Sequence, residues 1–272
     1  MSGWNAMTYD GRDTMLRVVG EQAEAFFELA GSQQAWQEPT ACTNWQVRDL
    51  VGHLVDTTES YFVAFDAARG KGDVDPAYGL PGMALRADAQ ARAWRSVPQH
   101  ELLERAHSDF AKMATILGSL SPQEWTGLLV PHFYMGPLPA FFYPAFQLMD
   151  YGVHSWDIRE GTGLAHGLSA DVADLLVPFM FGLWQGIAAI PQDVEPSEIG
   201  IRITCGANAG ETRANVAAGG LTFEPGEISD LLTVLEFDPA SFVLTVFGRY
   251  HAGTVRGDPL AAQRYLNLFF RI

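Results

Sequence analysis

Apolar residues recur at helical spacing through the first two thirds of the chain. Leu16, Val19, Ala23, Phe26, Phe27 and Ala30 fall three and four apart and predict a first helix over residues 13–30, closed by Gly31 and Ser32. After a loop with Pro39, the apolar face of Val47, Leu50, Val51, Leu54 and Val55 predicts a second helix to about residue 68, capped by Thr43 or Asn44. His53 lies one position from that face. Residues 70–81 are rich in Gly, Asp and Pro and read as a loop. Helices are predicted over 85–97 and 99–120, parted at Pro98. Ser121 and Pro122 then open a short capped turn. Residues 132–139 read as a loop, and 140–160 and 169–189 as two more helices.

The period changes after Pro191 and Pro196. Ile199, Ile201 and Ile203 alternate with Gly200, Arg202 and Thr204, the pattern of a half-buried strand. Short strands are predicted over 213–217, 220–224 and 242–247, and helices over 230–236 and 259–269. The expected fold is therefore α+β in two domains. A helical bundle occupies residues 1–190 and a small α+β domain residues 197–272.

Composition adds exclusions. Hydrophobic residues make up 48% of the 272 and charged residues 18%, which is ample for a core. A net charge of −15 argues against nucleic acid and against anionic membrane surfaces as partners. The longest apolar stretch, residues 175–190, is interrupted by Pro178, Gly182, Gln185 and Gly186 and is short for a membrane span. The start lacks a secretory pattern. The 2 cysteines, Cys42 and Cys205, form no CxxC motif, so a reduced, cytoplasmic setting is expected. No Gly-x-Ser-x-Gly motif or glycine-rich phosphate loop is present. The chain is expected to act as a monomer or homodimer.

Candidate chemistry centres on His53, Asp150 and His154. Asp150 and His154 are spaced i, i+4, which puts them on one helix face roughly 5–6 Å apart at Cβ. Two imidazoles and a carboxylate suit a catalytic zinc with an open position, and equally nickel, iron or cobalt. The plainer alternatives are a polar residue beside a core and an ordinary surface pair. Trp45, Val47 and Leu50 read as core, and Arg48 and Asp49 as an ion pair at the helix start. Cys42 reads as a packed residue without an activating neighbour. Trp156 and Asp157 read as anchors of the helix that carries His154, with Asp157 alternatively an acceptor that orients a ligand histidine. His132, Phe133, Tyr134 and Met135 either roof the site or pack on the bundle. Phe141, Phe142, Tyr143 and Phe146 are core or the mouth of an apolar cleft.

Thr40, Cys42, Trp45, Val47, Arg48, Asp49, Leu50, His53 and Leu54 together resemble the signature of the mycothiol-dependent maleylpyruvate isomerase family. Val153, His154, Trp156 and Asp157 resemble its second motif. The resemblance implies a DinB-like four-helix bundle with His53 and His154 as zinc ligands and mycothiol as cofactor. The family's glutamate four residues before the second histidine is here Asp150, one methylene shorter. Phe247, Gly248 and Arg249, followed by Val255, Arg256, Gly257, Asp258 and Pro259, resemble the family's sterol-carrier-like domain. Among Arg202, Arg213, Arg249 and Arg256, all candidate anion clamps, Arg249 sits in that motif and is the expected cofactor-binding residue.

The function expected is a metal-dependent isomerase or S-transferase that uses a low-molecular-weight thiol on a small electrophile. The aromatic stretch 133–146 suits a less polar substrate than a small dianion. The alternative is that Asp150 marks loss of the metal. The same cleft would then serve a metal-free small-molecule-binding protein or a cyclisation catalyst of secondary metabolism.

Overall fold

A computed structural model describes residues 3–164, 166–249 and 253–269. The chain is α+β and divides into two compact units, Met1–Leu168 and Ser169–Ile272.

The first unit is a helical bundle. Its elements are α1 (Arg12–Gly31), α2 (Val47–Ala68), α3 (Leu80–Ala93), α4 (Gln99–Gly118), α5 (Pro122–Gly127), β1 (Leu129–His132), β2 (Gly136–Pro139) and α6 (Phe142–Thr162). Helix α1 packs on α6 and α4, while α2 packs on α4, α6 and α3. The predicted faces are largely the buried ones: Val19, Ala23, Phe26, Phe27 and Ala30 from α1, with Met15 buried in place of Leu16, and Val47, Leu50, Val51, Leu54 and Val55 from α2. Phe65, Met113, Trp125 and Tyr143 fill one end of the core.

Helix α2 begins later than Thr43 or Asn44 suggested. Its cap is Gln46, whose backbone N–H donates to the Asp49 carboxylate at 2.9 Å. Asn44 instead takes a left-handed conformation, φ 68°, in the preceding turn, a role Asn tolerates. The loop expected at 132–139 is partly a hairpin, β1 paired antiparallel with β2. Tyr143 fixes it from below by donating its hydroxyl to the Pro131 carbonyl at 2.9 Å.

The second unit holds α7 (Ala170–Ile187), β3 (Ser197–Ile203), β4 (Gly210–Ala217), β5 (Gly220–Pro225), β6 (Thr233–Phe237), α8 (Pro239–Val246), β7 (Thr254–Gly257) and α9 (Pro259–Leu266). The sheet order is β5-β4-β3-β6-β7, with β3 and β6 parallel and the other neighbours antiparallel. Two predictions reverse here. Residues 230–236 are mostly strand rather than helix, and 242–247 are mostly helix rather than strand. Both runs are short, with Leu, Val or Phe at most positions and one Thr inside, so no period separates the two states. Asp238 and Pro239 decide the second case: the Asp238 carboxylate accepts the Ser241 N–H at 3.0 Å and Pro239 starts α8.

The boundary also lies earlier than residue 190, because α7 belongs to the second unit. Trp184 of α7 packs against Phe223, Phe242 and Tyr265. Helical periodicity marks which face is buried but not which core receives it. Among the described residues α7 is the helix long and apolar enough to cross a membrane, and 61% of that window is buried within the protein, as in a core helix.

One carboxylate of the bundle works against its stability. Asp109 on α4 has a buried Oδ2 without a hydrogen-bond partner, and desolvation together with nearby Glu59 pushes its carboxyl up to about 6. A carboxyl raised in the folded state contributes stability at low pH that is lost as pH rises through that value. Asp109→Asn is therefore expected to raise stability at pH 8 by about 1 kcal/mol, after allowing for screening of a partly exposed group. It should also flatten the decline between pH 4 and 6. Denaturant titrations across pH check this, and an unchanged pH profile contradicts it.

Candidate metal centre

The turn that precedes α2 and the middle of α6 converge on one spot. Thr40 holds the turn through its N–H and hydroxyl, both donating to the Trp45 carbonyl at 3.0 Å. The Ala41 N–H donates to the Asp157 carbonyl at 3.0 Å, which ties the turn to α6. Gly161 is needed for this approach, since a Cβ there would lie 2.2 Å from the Pro39 carbonyl oxygen. Gly52 does the same on the other side of α2, where a Cβ would sit 2.6 Å from the Ala91 carbonyl.

This frame brings His53, Asp150 and His154 together. One ligand atom from each lies within 4.8 Å of the others. His53 Nε2 is 3.7 Å from Asp150 Oδ1, too far for a hydrogen bond. It is close to the ~3.3 Å that separates two ligands bound 2.0–2.1 Å from a tetrahedral metal. The imidazoles of His53 and His154 are 5.3 Å apart between ring centres and nearly perpendicular. Asp150 Oδ2 is buried and lacks a hydrogen-bond partner, a costly arrangement that a cation would relieve.

The histidines are oriented from behind. His154 Nδ1 lies 2.8 Å from Asp157 Oδ2, which fixes the proton on Nδ1 and leaves the Nε2 lone pair for a metal. Thr57 Oγ1 lies 3.5 Å from His53 Nδ1, opposite the nitrogen that faces Asp150. Asp157 is fully buried, and the Cys42 thiol also donates to its Oδ2 at 3.2 Å. Asp157 thus takes the orienting role that was the second of its two sequence readings. Asp157→Asn is expected to weaken metal binding about 10–100-fold with the fold intact. Competition against a chromophoric chelator measures this, and a change below threefold contradicts it.

Trp45 corrects the sequence reading. Val47 and Leu50 are core, but Trp45 is only half-buried and flanks the histidines, 5.3 Å from His53 and 6.4 Å from His154 between ring centres. Its indole N–H donates to Asp88 at 2.9 Å. The ion pair expected between Arg48 and Asp49 is replaced by Asp49 with Arg95, at 2.6 and 2.7 Å. Arg48 instead donates to Gln46.

Further groups surround the cluster. Burial pushes the His132 imidazole down to about 4 against the opposing charge of Asp150, so it is neutral at pH 7. The Tyr134 N–H reaches His132 Nδ1 at 3.4 Å, which places the proton on Nε2. His132 stacks obliquely on Phe146, 4.8 Å away, and lies 6.1 Å from Tyr61. Arg86, overlooked in the sequence, donates to Asp56 at 2.8 Å and to the Tyr134 hydroxyl at 3.3 Å.

The four candidate arginines of the second unit each have an acid or a backbone carbonyl as partner. Arg202 pairs with Glu211 and Glu236, Arg213 with Asp230, and Arg256 with Glu236 at 2.5 Å. Arg249 donates to the Phe247 carbonyl at 3.2 Å.

Residues 16–159, which contain the whole His53, Asp150 and His154 cluster, match the mycothiol maleylpyruvate isomerase N-terminal domain. The chain belongs to this family. A crystal structure of the mycothiol-dependent maleylpyruvate isomerase shares its fold, with a TM-score of 0.58 at 11% identity over 90% of this chain and 92% of that one. A mutant of that enzyme aligns with a TM-score of 0.57 at 10% identity over the same shares. No curated protein matches the chain by sequence. The match covers α1 to α6 apart from their outermost turns, so the family's region and the bundle built here coincide.

Proposed function

We propose that this protein is a metal-dependent enzyme that uses a low-molecular-weight thiol, mycothiol in this family, to isomerise a small electrophile or to transfer the thiol sulfur onto it. The observation that supports it most is the trio of donor atoms within 4.8 Å beside a buried, unpartnered Asp150 oxygen. The donor set fits a borderline divalent ion such as zinc, with His53 Nε2, Asp150 and His154 Nε2 as the holding atoms. A metal there supplies a Lewis acid that favours thiolate over thiol at neutral pH. A thiol bound beside it would supply reversible nucleophilic addition to a conjugated carbon, the chemistry by which the geometry of a double bond can be changed.

The chain's own residues set the environment. Asp157 holds the His154 tautomer, and Trp45 walls the site against water on the side of the turn. His132, neutral with its proton on Nε2, is a hydrogen-bond donor to an oxygen on the substrate. His132, Tyr61 and Phe146 make an aromatic side that favours a substrate with an apolar body. Arg86 is already balanced by Asp56, so it is poorly suited to neutralise a dianion. A less polar electrophile than maleylpyruvate is therefore favoured.

Elemental analysis of the purified protein, as isolated and after zinc addition, tests this. The expected result is about one metal per chain, lost in both Asp150→Ala and His154→Ala. Absence of metal under both conditions removes the mechanism and leaves a metal-free binding cleft.

A further inference from the structure

His154 faces a second set of ligating atoms through its other nitrogen. Cys42 Sγ is 3.2 Å from Asp157 Oδ2 and 3.9 Å from His154 Nδ1, and Nδ1 is 2.8 Å from the same Oδ2. Zinc-type bonds of about 2.3 Å to sulfur and 2.0–2.1 Å to nitrogen or oxygen put tetrahedral ligands roughly 3.3–3.6 Å apart. Each side of the Sγ, Nδ1, Oδ2 triangle is within about half an ångström of that range. Asp157 is fully buried, whereas Cys42 is only partly so, and Thr43 and Asn44 beside it are exposed. An ion thus has a path from solvent to a carboxylate that is already in place.

We propose that Cys42, Asp157 and His154 Nδ1 form a second site, for a thiophilic divalent ion such as cadmium or surplus zinc, that competes with the His53 and Asp150 set for His154. Binding releases the Cys42 thiol proton to solvent. The His154 Nδ1 proton gives way to the metal, and the imidazole takes a proton on Nε2 when the first set is empty. His154 then no longer ligates through Nε2, and Asp157 no longer orients it. Surplus thiophilic metal thereby switches off the first set.

The full chain is titrated with cadmium alone while the ultraviolet thiolate-to-cadmium charge-transfer band is followed. One thiolate is expected per chain at saturation, retained in Cys205→Ser and reduced at least tenfold in Cys42→Ser. In parallel, cadmium should protect Cys42 of the unaltered protein from alkylation, read by peptide mass spectrometry, so the outcome does not hang on the folding of a variant. Asp150→Ala should keep both signals, which separates this site from the proposed catalytic set: loss of metal from the latter leaves the cadmium band in place. A band that survives Cys42→Ser, or alkylation of Cys42 undiminished by saturating cadmium, overturns the proposal.

Discussion

His53→Ala protein is expected to lose thiol-dependent turnover by about a thousandfold or more and yet to unfold within a few degrees of the unaltered protein. A metal that stabilises developing charge contributes several kcal/mol, and each 1.4 kcal/mol is about tenfold in rate. Loss of one of the three proposed ligands removes more than an orienting neighbour does, so affinity for added metal should fall beyond the hundredfold expected for such neighbours. Stability should change little because the His53 side chain is partly exposed and its contacts are a long approach to Thr57 and the rings of Trp45 and His154. Turnover of conjugated electrophiles with mycothiol, measured beside a thermal melt, gives both quantities. Activity within tenfold of the starting protein contradicts the role given to His53.

Asp49→Ala should have the opposite signature, with a large loss of stability. Asp49 is fully buried and accepts from Arg95 Nε at 2.7 Å, from Arg95 Nη2 at 2.6 Å and from the Gln46 N–H at 2.9 Å. Its removal leaves the Arg95 guanidinium, about a third exposed, without its counter-charge, and leaves the Gln46 N–H at the start of α2 without its acceptor. Breaking a buried pair costs about 3–5 kcal/mol. Losing a cap costs about 1 kcal/mol. Because Arg95 is a third exposed, screening trims that sum, and the expected change is about 3–5 kcal/mol, or roughly 10 °C in melting temperature. Asp49→Asn should recover part of the cap but little of the pair. A double variant, Asp49→Leu with Arg95→Met, should cost less than the sum of the two single changes, because neither charge is left alone. A loss below 1 kcal/mol for Asp49→Ala would show that the pair does not hold α2 to the segment after α3.

The start of the bundle was readable from the sequence because α1 and α2 each bury one stripe, so the spacing of Val47, Leu50, Val51 and Leu54 marks both helix and face. The second unit was less readable because β6 and α8, the two short segments whose types were exchanged, each bury nearly every residue. Val234 and Leu235 in a strand and Val243 and Leu244 in a helix then look alike. The spacing of Asp150, His154 and Asp157 puts all three on one side of α6, which made the site legible on that helix. The contributions of Trp45, Arg86 and Arg95 were not, since each depends on a turn or a helix pairing with no local signature. Cys42 illustrates the difference most sharply. In the sequence it has no neighbour that would engage a thiol, and the tie between the Ala41 N–H and the Asp157 carbonyl, with the close approach of Pro39 and Thr40 to Gly161, brings it to α6.

The most direct test of a metal that keeps a place for the thiol uses Cys42→Ser protein, so that the chain's own thiol cannot contribute. The protein is loaded with one cobalt(II) per chain and titrated with mycothiol. A thiolate-to-cobalt charge-transfer band that grows to saturation, and is missing in the same protein carrying Asp150→Ala, is the expected result. Failure to hold cobalt, or bound cobalt whose spectrum mycothiol leaves unchanged, contradicts a thiol-activating metal at His53, Asp150 and His154.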